Sequence, residues 1–249
     1  MKLMSLNMWG GMLSERFPDF FEKYQNVDIF CFQEVYKDAE KDKEGDFLSL
    51  WDTSKDSLNL FEDLEKMLPE HKGFFCPCVE GFYGIAIFIK KDFEILEEGS
   101  EWVFGKGEWK QDCTHSRKLQ YLKVKKDSKN FLITNLHGVW IAKTNKEDLP
   151  CRIKQSEITR KFFDKHKGPK VLVGDLNLRH DSESIKILEE GYRNLITDFE
   201  INSTRTSFYK KEYKLADYMI VSKDIEVEDF KVLSEEVSDH SALLLEFKT

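Results

Sequence analysis

The chain has 249 residues, 41% of them hydrophobic, and its acidic residues outnumber its basic ones by 46 to 38. This length and composition fit one large or two small folded domains and exclude a disordered chain; no apolar run is long enough to span a membrane. The acidic balance argues against a protein that coats nucleic acid by charge alone. It does not argue against an enzyme acting on phosphate esters, where a bound cation supplies local positive charge.

In chain order, Lys2 to Trp9 alternates apolar and polar residues and is expected to be a strand; "MKLMSLNMWGG" lacks a signal peptide's apolar core and cleavage site, so the cytoplasm is the expected location. Residues 15–25 predict a helix with Pro18 in its first turn, and "VDIFCFQEV" predicts the second strand. The charged stretch 36–46 is expected to be a surface loop or short exposed helix. Residues 57–68 carry Leu60, Phe61, Leu64 and Leu68 on one helical face. Five strand-like runs follow, "GFFCPCV", "YGIAIFIKK", "FEILEEGSEWVF", "RKLQYLKVKK" and "NFLITNLHG". A second long helix is expected over 148–166, then the strand "KVLVGDLN", a short helix "SESIKILEEG" closed by Gly191, and the strands "LADYMIVS", "EVEDFKVL" and "HSALLLEFK". Strands dominate, and the helices are too few and too widely spaced for a barrel or a doubly wound sheet. The expected fold class is therefore α/β (α+β), two mixed sheets face to face with helices outside. The five cysteines suggest no disulfide framework. Cys31 reads as a buried small hydrophobe, and "CPC" at Cys76 and Cys78 lacks the second ligand pair of a zinc site.

Polar residues interrupt or end these apolar strands at Asn7, Glu34, His137, Asp175, Asn177, Asp217, Asp239 and His240. Strand termini on one rim converge, and sites are built there. The carboxylates are hard oxygen ligands suited to Mg²⁺ or Mn²⁺. The imidazoles and amides suit phosphate oxygens, and an Asp beside a His fixes a tautomer. Together these are parts for metal-assisted attack of water on a phosphate ester. Each is ambiguous alone: "GDLN" is equally compatible with a turn, and His137 with a structural histidine.

The order "SLNMWG", "FQEV", "TNLHG", "VGDLN", "ADYMIVS", "SDHSAL" resembles the DNase I-like endonuclease/exonuclease/phosphatase superfamily across nearly the whole chain. The resemblance implies a single domain over 1–249 and a four-layered α/β/β/α sandwich. It implies that Glu34 and Asn7 hold the cation, with Asp239 a second metal-side carboxylate. Asp175 would orient or deprotonate water, Asn177 and His137 would contact phosphate, and Asp217 and His240 would form a carboxylate–imidazole pair. Arg117 either reaches phosphate, as in the nuclease-like branch, or is a surface arginine. "GDLNLRH" is similar to the tyrosyl-DNA phosphodiesterase branch, where Arg179 would touch substrate at the rim; the alternative is a solvated loop charge. Trp9, Trp140, Phe208 and Tyr209 are candidates for base stacking, and the basic stretch 202–214 for a backbone contact. The expected activity is divalent-metal-dependent hydrolysis by a monomer, of DNA or a DNA-end adduct. The alternative is a small or lipid-derived phosphate; a non-catalytic binding protein is disfavoured because every motif position is intact.

Overall fold

The computed structural model describes residues 1–39, 57–107 and 115–249. Strand β1 (Lys2–Asn7) leads through two short 3₁₀ turns and α1 (Phe17–Lys23) into β2 (Ile29–Tyr36). Helix α2 (Leu60–Met67) precedes the hairpin β3 (His71–Val79) and β4 (Tyr83–Lys90), and β5 (Glu94–Phe104), β6 (Arg117–Lys126) and β7 (Lys129–Leu136) follow. Helix α3 (Pro150–Lys165) returns the chain to β8 (Lys170–Asp175). Then come α4 (Glu183–Glu189), β9 (Arg193–Asn194), α5 (Leu195–Asp198), β10 (Asp217–Val221), β11 (Glu226–Val232) and β12 (Leu243–Lys248). The charged stretch 36–46 lies in part outside the described residues.

The strands form two six-stranded sheets, ordered β11-β12-β1-β2-β4-β3 and β5-β6-β7-β8-β10-β9. Each is mixed and has one parallel pair near its centre, β1 with β2 and β7 with β8. Each parallel pair needs a crossover, and α1 and α3 supply them. The sheets face each other, as expected, with helices on the outer faces.

Alternation along the strands explains the layers. In β2, Ile29 and Cys31 enter the core between the sheets, while Phe30 and Phe32 face the other way. There Phe21 of α1 meets both rings edge-on, at centroid distances of 5.7 and 5.8 Å. Truncating such a ring to alanine costs about 3–5 kcal/mol. Cys31 is fully buried and its thiol is pushed far up by that burial, so it behaves as an inert apolar residue. On the second sheet, Phe162 and Phe163 of α3 and Ile185 and Leu188 of α4 are buried in the same core as the strand residues.

Polar side chains also join the sheets. Asn135 of β7 donates to the Phe32 and Ala86 carbonyls of the opposite sheet at 3.0 and 3.1 Å, and it accepts from Gln33 Nε2 at 2.7 Å. Gln120 of β6 donates to the Phe74 carbonyl of β3 at 2.7 Å. A hydrogen bond of this kind is worth about 1 kcal/mol net but is costly to leave half-made. The clamp therefore fixes how one sheet sits on the other, just beneath the strand ends that carry Asn7 and Glu34. Among the described residues, no helix is long and apolar enough to cross a membrane.

Candidate active site at the strand exits

The exits of β1, β2, β7 and β8 open into one cleft of about 460 Å³. Its lining includes Glu34, Arg117, His137, Asp175, Asn177, Asp239 and His240. These come from five segments spread from residue 34 to residue 240, so the fold brings the polar strand ends together.

Glu34 reaches the cleft through a break in the β2–β4 register between Gln33 and Val35, where its own φ is 56°. Strict alternation would send it to the face opposite Gln33; the bulge re-aims it. A left-handed backbone is costly for a glutamate, and such strain persists where surrounding structure holds it. Trp9 (φ 51°) and Asn177 (φ 52°) also line the cleft in this conformation. Around β8, close backbone approach requires glycine: Gly174 has φ 137°, and a Cβ there would lie 2.0 Å from the Leu136 carbonyl oxygen. A Cβ on Gly138 would lie 2.0 Å from the Leu176 carbonyl oxygen. The glycines in "NLHG" and "VGDLN" thus allow the exits of β7 and β8 to touch.

Asn7 holds two carboxylates, its Nδ2 donating to Glu34 Oε1 at 3.0 Å and to Asp175 Oδ2 at 3.1 Å. Its own Oδ1 accepts from the Trp9 amide at 2.9 Å, which fixes the amide's orientation. Asp175 Oδ1 accepts from the Asn177 amide at 3.0 Å. Asn177 Nδ2 lies 3.4 Å from the Gly138 carbonyl. His240 Nδ1 is 2.8 Å from Asp217 Oδ1, and Thr204 donates to the other Asp217 oxygen at 2.6 Å. This pairing assigns the Nδ1–H tautomer and leaves Nε2 facing Asp175 Oδ2 at 3.5 Å. Asp217 stands behind the imidazole and not on the cleft wall. Arg117 is buried, donates to the Gly138 carbonyl at 3.0 Å and lines the cleft. It is thus no surface arginine.

Burial governs the protonation states. It pushes Glu34 up to about 7, opposed by the Asn7 hydrogen bond and reinforced by Asp239 and Asp175. It raises Asp217 to about 6 and, with Arg205 adding to the effect, lowers His240 to about 3. His137 is held well below its usual range by burial and then by Arg117. Near neutral pH both imidazoles are therefore uncharged.

One expected residue is placed differently. Arg179 does not reach the cleft: Asp181 holds its guanidinium at 2.8 and 3.0 Å, it lies over Tyr213, and it lines a separate groove. The residue lies in the loop after β8, four positions beyond Asp175, where the chain has left the rim. Asp239 is on the cleft wall, but Arg205 Nη1 takes its Oδ2 at 3.0 Å. Among the described residues, two clusters of potential ligand atoms, each within 4.8 Å, meet at Asp175: Glu34, His137 and Asp175, and Asp175, Asp217 and His240. Of the candidate stacking residues, Trp9, Trp140 and Tyr209 line the cleft, while Phe208 packs against Trp9 at 6.3 Å.

Sequence reading missed other groups. Arg205 was only part of a basic stretch. Lys146 reaches the cleft from the loop between β7 and α3. That loop is braced by fully buried Arg152, which donates to the Val139 and Glu147 carbonyls and to Thr144 Oγ1. Gln155 receives the Val139 amide at 2.8 Å. Only a polar pair at helical spacing, Arg152 and Gln155 on α3's inner face, signals this.

The family model of the Endonuclease/Exonuclease/phosphatase family matches residues 4–240. The chain belongs to this family. It is accordingly a phosphoester hydrolase of a group that depends on divalent metal, and its carboxylate cluster suits such an ion. A search of curated proteins finds no match. Among solved structures, the mannosyl-6-phosphatase Bt3783 of Bacteroides thetaiotaomicron is 19% identical with a TM-score of 0.77, over 100% of both chains. A functionally unknown conserved protein from Enterococcus faecalis is 16% identical with a TM-score of 0.75, over 100% of this chain and 99% of that one. TDP2 of D. rerio, solved with a single strand DNA product, is 15% identical with a TM-score of 0.74 and the same coverage. At these identities the likeness establishes the fold, the DNase I-like sandwich of two mixed sheets.

Proposed function

We propose that this family member is a Mg²⁺-dependent phosphodiesterase, with Mn²⁺ as an alternative ion, acting on DNA or a DNA-end adduct. In this reading one domain over residues 1–249 works as a cytoplasmic monomer. The observation that carries the proposal is the meeting of Asn7, Glu34, Asp175 and His240 within hydrogen-bonding reach at one cleft.

The residues fit a hard cation. Glu34 is a carboxylate held up to about 7 beside two others, and Asp239 Oδ1 is buried without a hydrogen-bond partner, with His240 Nε2 3.8 Å away. Such a cluster calls for positive charge. Glu34 would hold the ion, with Asn7 positioning its carboxylate and Asp239 beside it, and the bound ion would neutralise a phosphate oxygen. Asp175, fixed by Asn7 and the Asn177 amide, takes the proton of the attacking water. Asn177, His137 and Arg117 face the same space and donate to phosphate oxygens as charge grows. Asp217 sets the His240 tautomer and accepts charge if the imidazole gains a proton.

Trp9, Trp140 and Tyr209 offer faces on which bases stack, and Lys211 lies 5.7 Å from the Trp140 ring centre. This supports a nucleic-acid end as substrate. A second reading is a small or lipid-derived phosphate. The cleft volume supports it, because it is in the range of a small-molecule pocket. Turnover of nicked, abasic, single-stranded and 5′-tyrosyl DNA, inositol phosphates, hexose phosphates and sphingomyelin, each with Mg²⁺, Mn²⁺ or chelator, separates the two. Cleavage of small esters alone would end the nuclease reading.

A further inference from the structure

Four cationic side chains line the cleft, Arg117, Lys146, Arg205 and Lys211, against the carboxylates of Glu34, Asp175 and Asp239. The chain as a whole carries a net charge of −8, so this concentration of positive charge is local. Two of the cations are buried side by side. The Arg205 side chain is 4% exposed, and its Nε is buried without a hydrogen-bond partner. Lys146 is also buried; its Nζ donates to the Leu215 carbonyl at 3.0 Å. Among the described residues, no carboxylate comes within ion-pair distance of it. Both lie against one ring, Arg205 Cζ at 4.2 Å and Lys146 Nζ at 5.7 Å from the Tyr209 centroid.

Burying two like charges together is unfavourable unless an anion joins them. The cost is visible in Lys146, which burial and then Arg205 bring down to about 8. Arg205 shares its fork with Asp239 through Nη1 only, so an edge of the guanidinium is unspent. An arginine fork plus an ammonium matches the oxygens of a phosphoryl group carrying two charges. A phosphodiester, with one charge and only two unesterified oxygens, would offer this pair fewer acceptors.

We propose that Arg205 and Lys146 form an anion subsite that holds a terminal, doubly charged phosphoryl group beside Asp175, and that this subsite makes the enzyme prefer phosphate ends over internal diesters. The inference rests only on the phosphoester-hydrolase reading that both proposed substrate classes share, and it favours a phosphate monoester over the diester of the first. The end belongs to a phosphorylated nucleic acid or to a small sugar ester; the chemistry recognised is the same.

The first measurement does not depend on turnover. Inorganic phosphate is titrated into the protein in chelator while the melting temperature is followed. Arg205→Gln and Lys146→Gln are each expected to raise the phosphate concentration for half-effect by about 10- to 100-fold, the loss of one charge-assisted hydrogen bond. The second measurement compares kcat/KM on p-nitrophenyl phosphate and bis(p-nitrophenyl) phosphate with Mg²⁺. The monoester-to-diester ratio is expected to fall about tenfold in each variant. A 5′-phosphorylated oligonucleotide and a hexose 6-phosphate then identify the source of the end. Unchanged phosphate response in both variants, or equal losses on monoester and diester, would overturn the subsite. If Arg205→Gln unfolds because Asp239 loses its partner, Lys146→Gln, which touches no carboxylate, decides. Loss of phosphate binding in the variants of a protein that turns over no ester would uphold the subsite and remove the hydrolase reading.

Discussion

The two sheets contribute to the cleft in different ways. Each offers a parallel strand pair whose exits carry the polar groups, Asn7 and Glu34 from β1 and β2, His137 and Asp175 from β7 and β8. In the second sheet, Asp175 is simply the last residue of a straight buried strand, 2% exposed and held by donors on both oxygens. In the first, Glu34 arrives by a bulge and a left-handed φ, with a side chain 27% exposed and a carboxyl driven up to about 7. In the proposed mechanism Asp175 is the base and Glu34 the carboxyl that takes a cation. Chemistry that needs a fixed proton acceptor and an exchangeable ion would divide its two sheets in this way.

The largest effect is expected from the fixed half. Asp175→Asn should lower kcat by about 10²- to 10⁴-fold, the worth of a general base, with the melting temperature nearly unchanged. Near-parental turnover would break the assignment of roles. The Glu34 half should respond in its metal requirement. Removing groups that only support a ligand costs about 10- to 100-fold in metal affinity, so Glu34→Gln should raise the Mg²⁺ half-saturation by at least that much. It should also respond to pH. The Glu34 carboxyl is raised in the folded protein, so its ionised form is disfavoured there. The stability is full below the ordinary value of 4.5 and is lost as pH rises through about 7. Asp217, raised to about 6, adds in the same direction, so the comparison must be between parent and variant. In chelator the melting temperature of the parent should fall across that window more steeply than that of Glu34→Gln. Mg²⁺ should flatten the parent's slope; identical slopes would show that Glu34 carries no uncompensated charge.

The same contrast explains what the sequence made legible. Asp175 could be read because a continuous apolar run, buried at every position, stops abruptly at it. The expected helix at 148–166 is α3 within two residues at each end, since Pro150 marks its start and Gly168 follows its end. The helix at 15–25 is instead a 3₁₀ turn at Ser14–Arg16 followed by α1, because Pro18 permits a helix start only near Phe17. The two-residue β9 and four-residue α5 are invisible in the sequence, being too short for a period to repeat. Glu34 was recognised by motif, but the bulge that aims it has no pattern of its own. Arg205 and Lys146 lie on loops, where only tertiary packing decides which charge is buried.

Loops sharpen the comparison further, because they divide into braced and free. Arg152 is fully buried and ties the loop carrying Trp140 and Lys146 to α3 through three acceptors. Arg152→Ala should cost about 3 kcal/mol, from lost charged hydrogen bonds and stranded carbonyls, read as a lower denaturant midpoint. It should also lower kcat/KM, since the loop would no longer present Lys146. Stability loss without any change in kcat/KM would separate the brace from the site.

The smallest effect is expected where motif similarity and structure part company. Arg179 spends its fork on Asp181, two residues away and more than half exposed, and points toward a groove lined by Tyr213 and Glu200. Exposed pairs of this kind contribute about 0–1 kcal/mol. Arg179→Ala should therefore leave stability nearly unchanged, and kcat and KM on p-nitrophenyl phosphate with them. A long oligonucleotide is the more searching substrate, because only it could extend from the Asp175 cleft to the second groove. Should KM rise on the oligonucleotide while the small ester is unaffected, Arg179 would be a distal contact that abandons Asp181 when a strand binds, and the substrate path would run along the second sheet's edge past Tyr213.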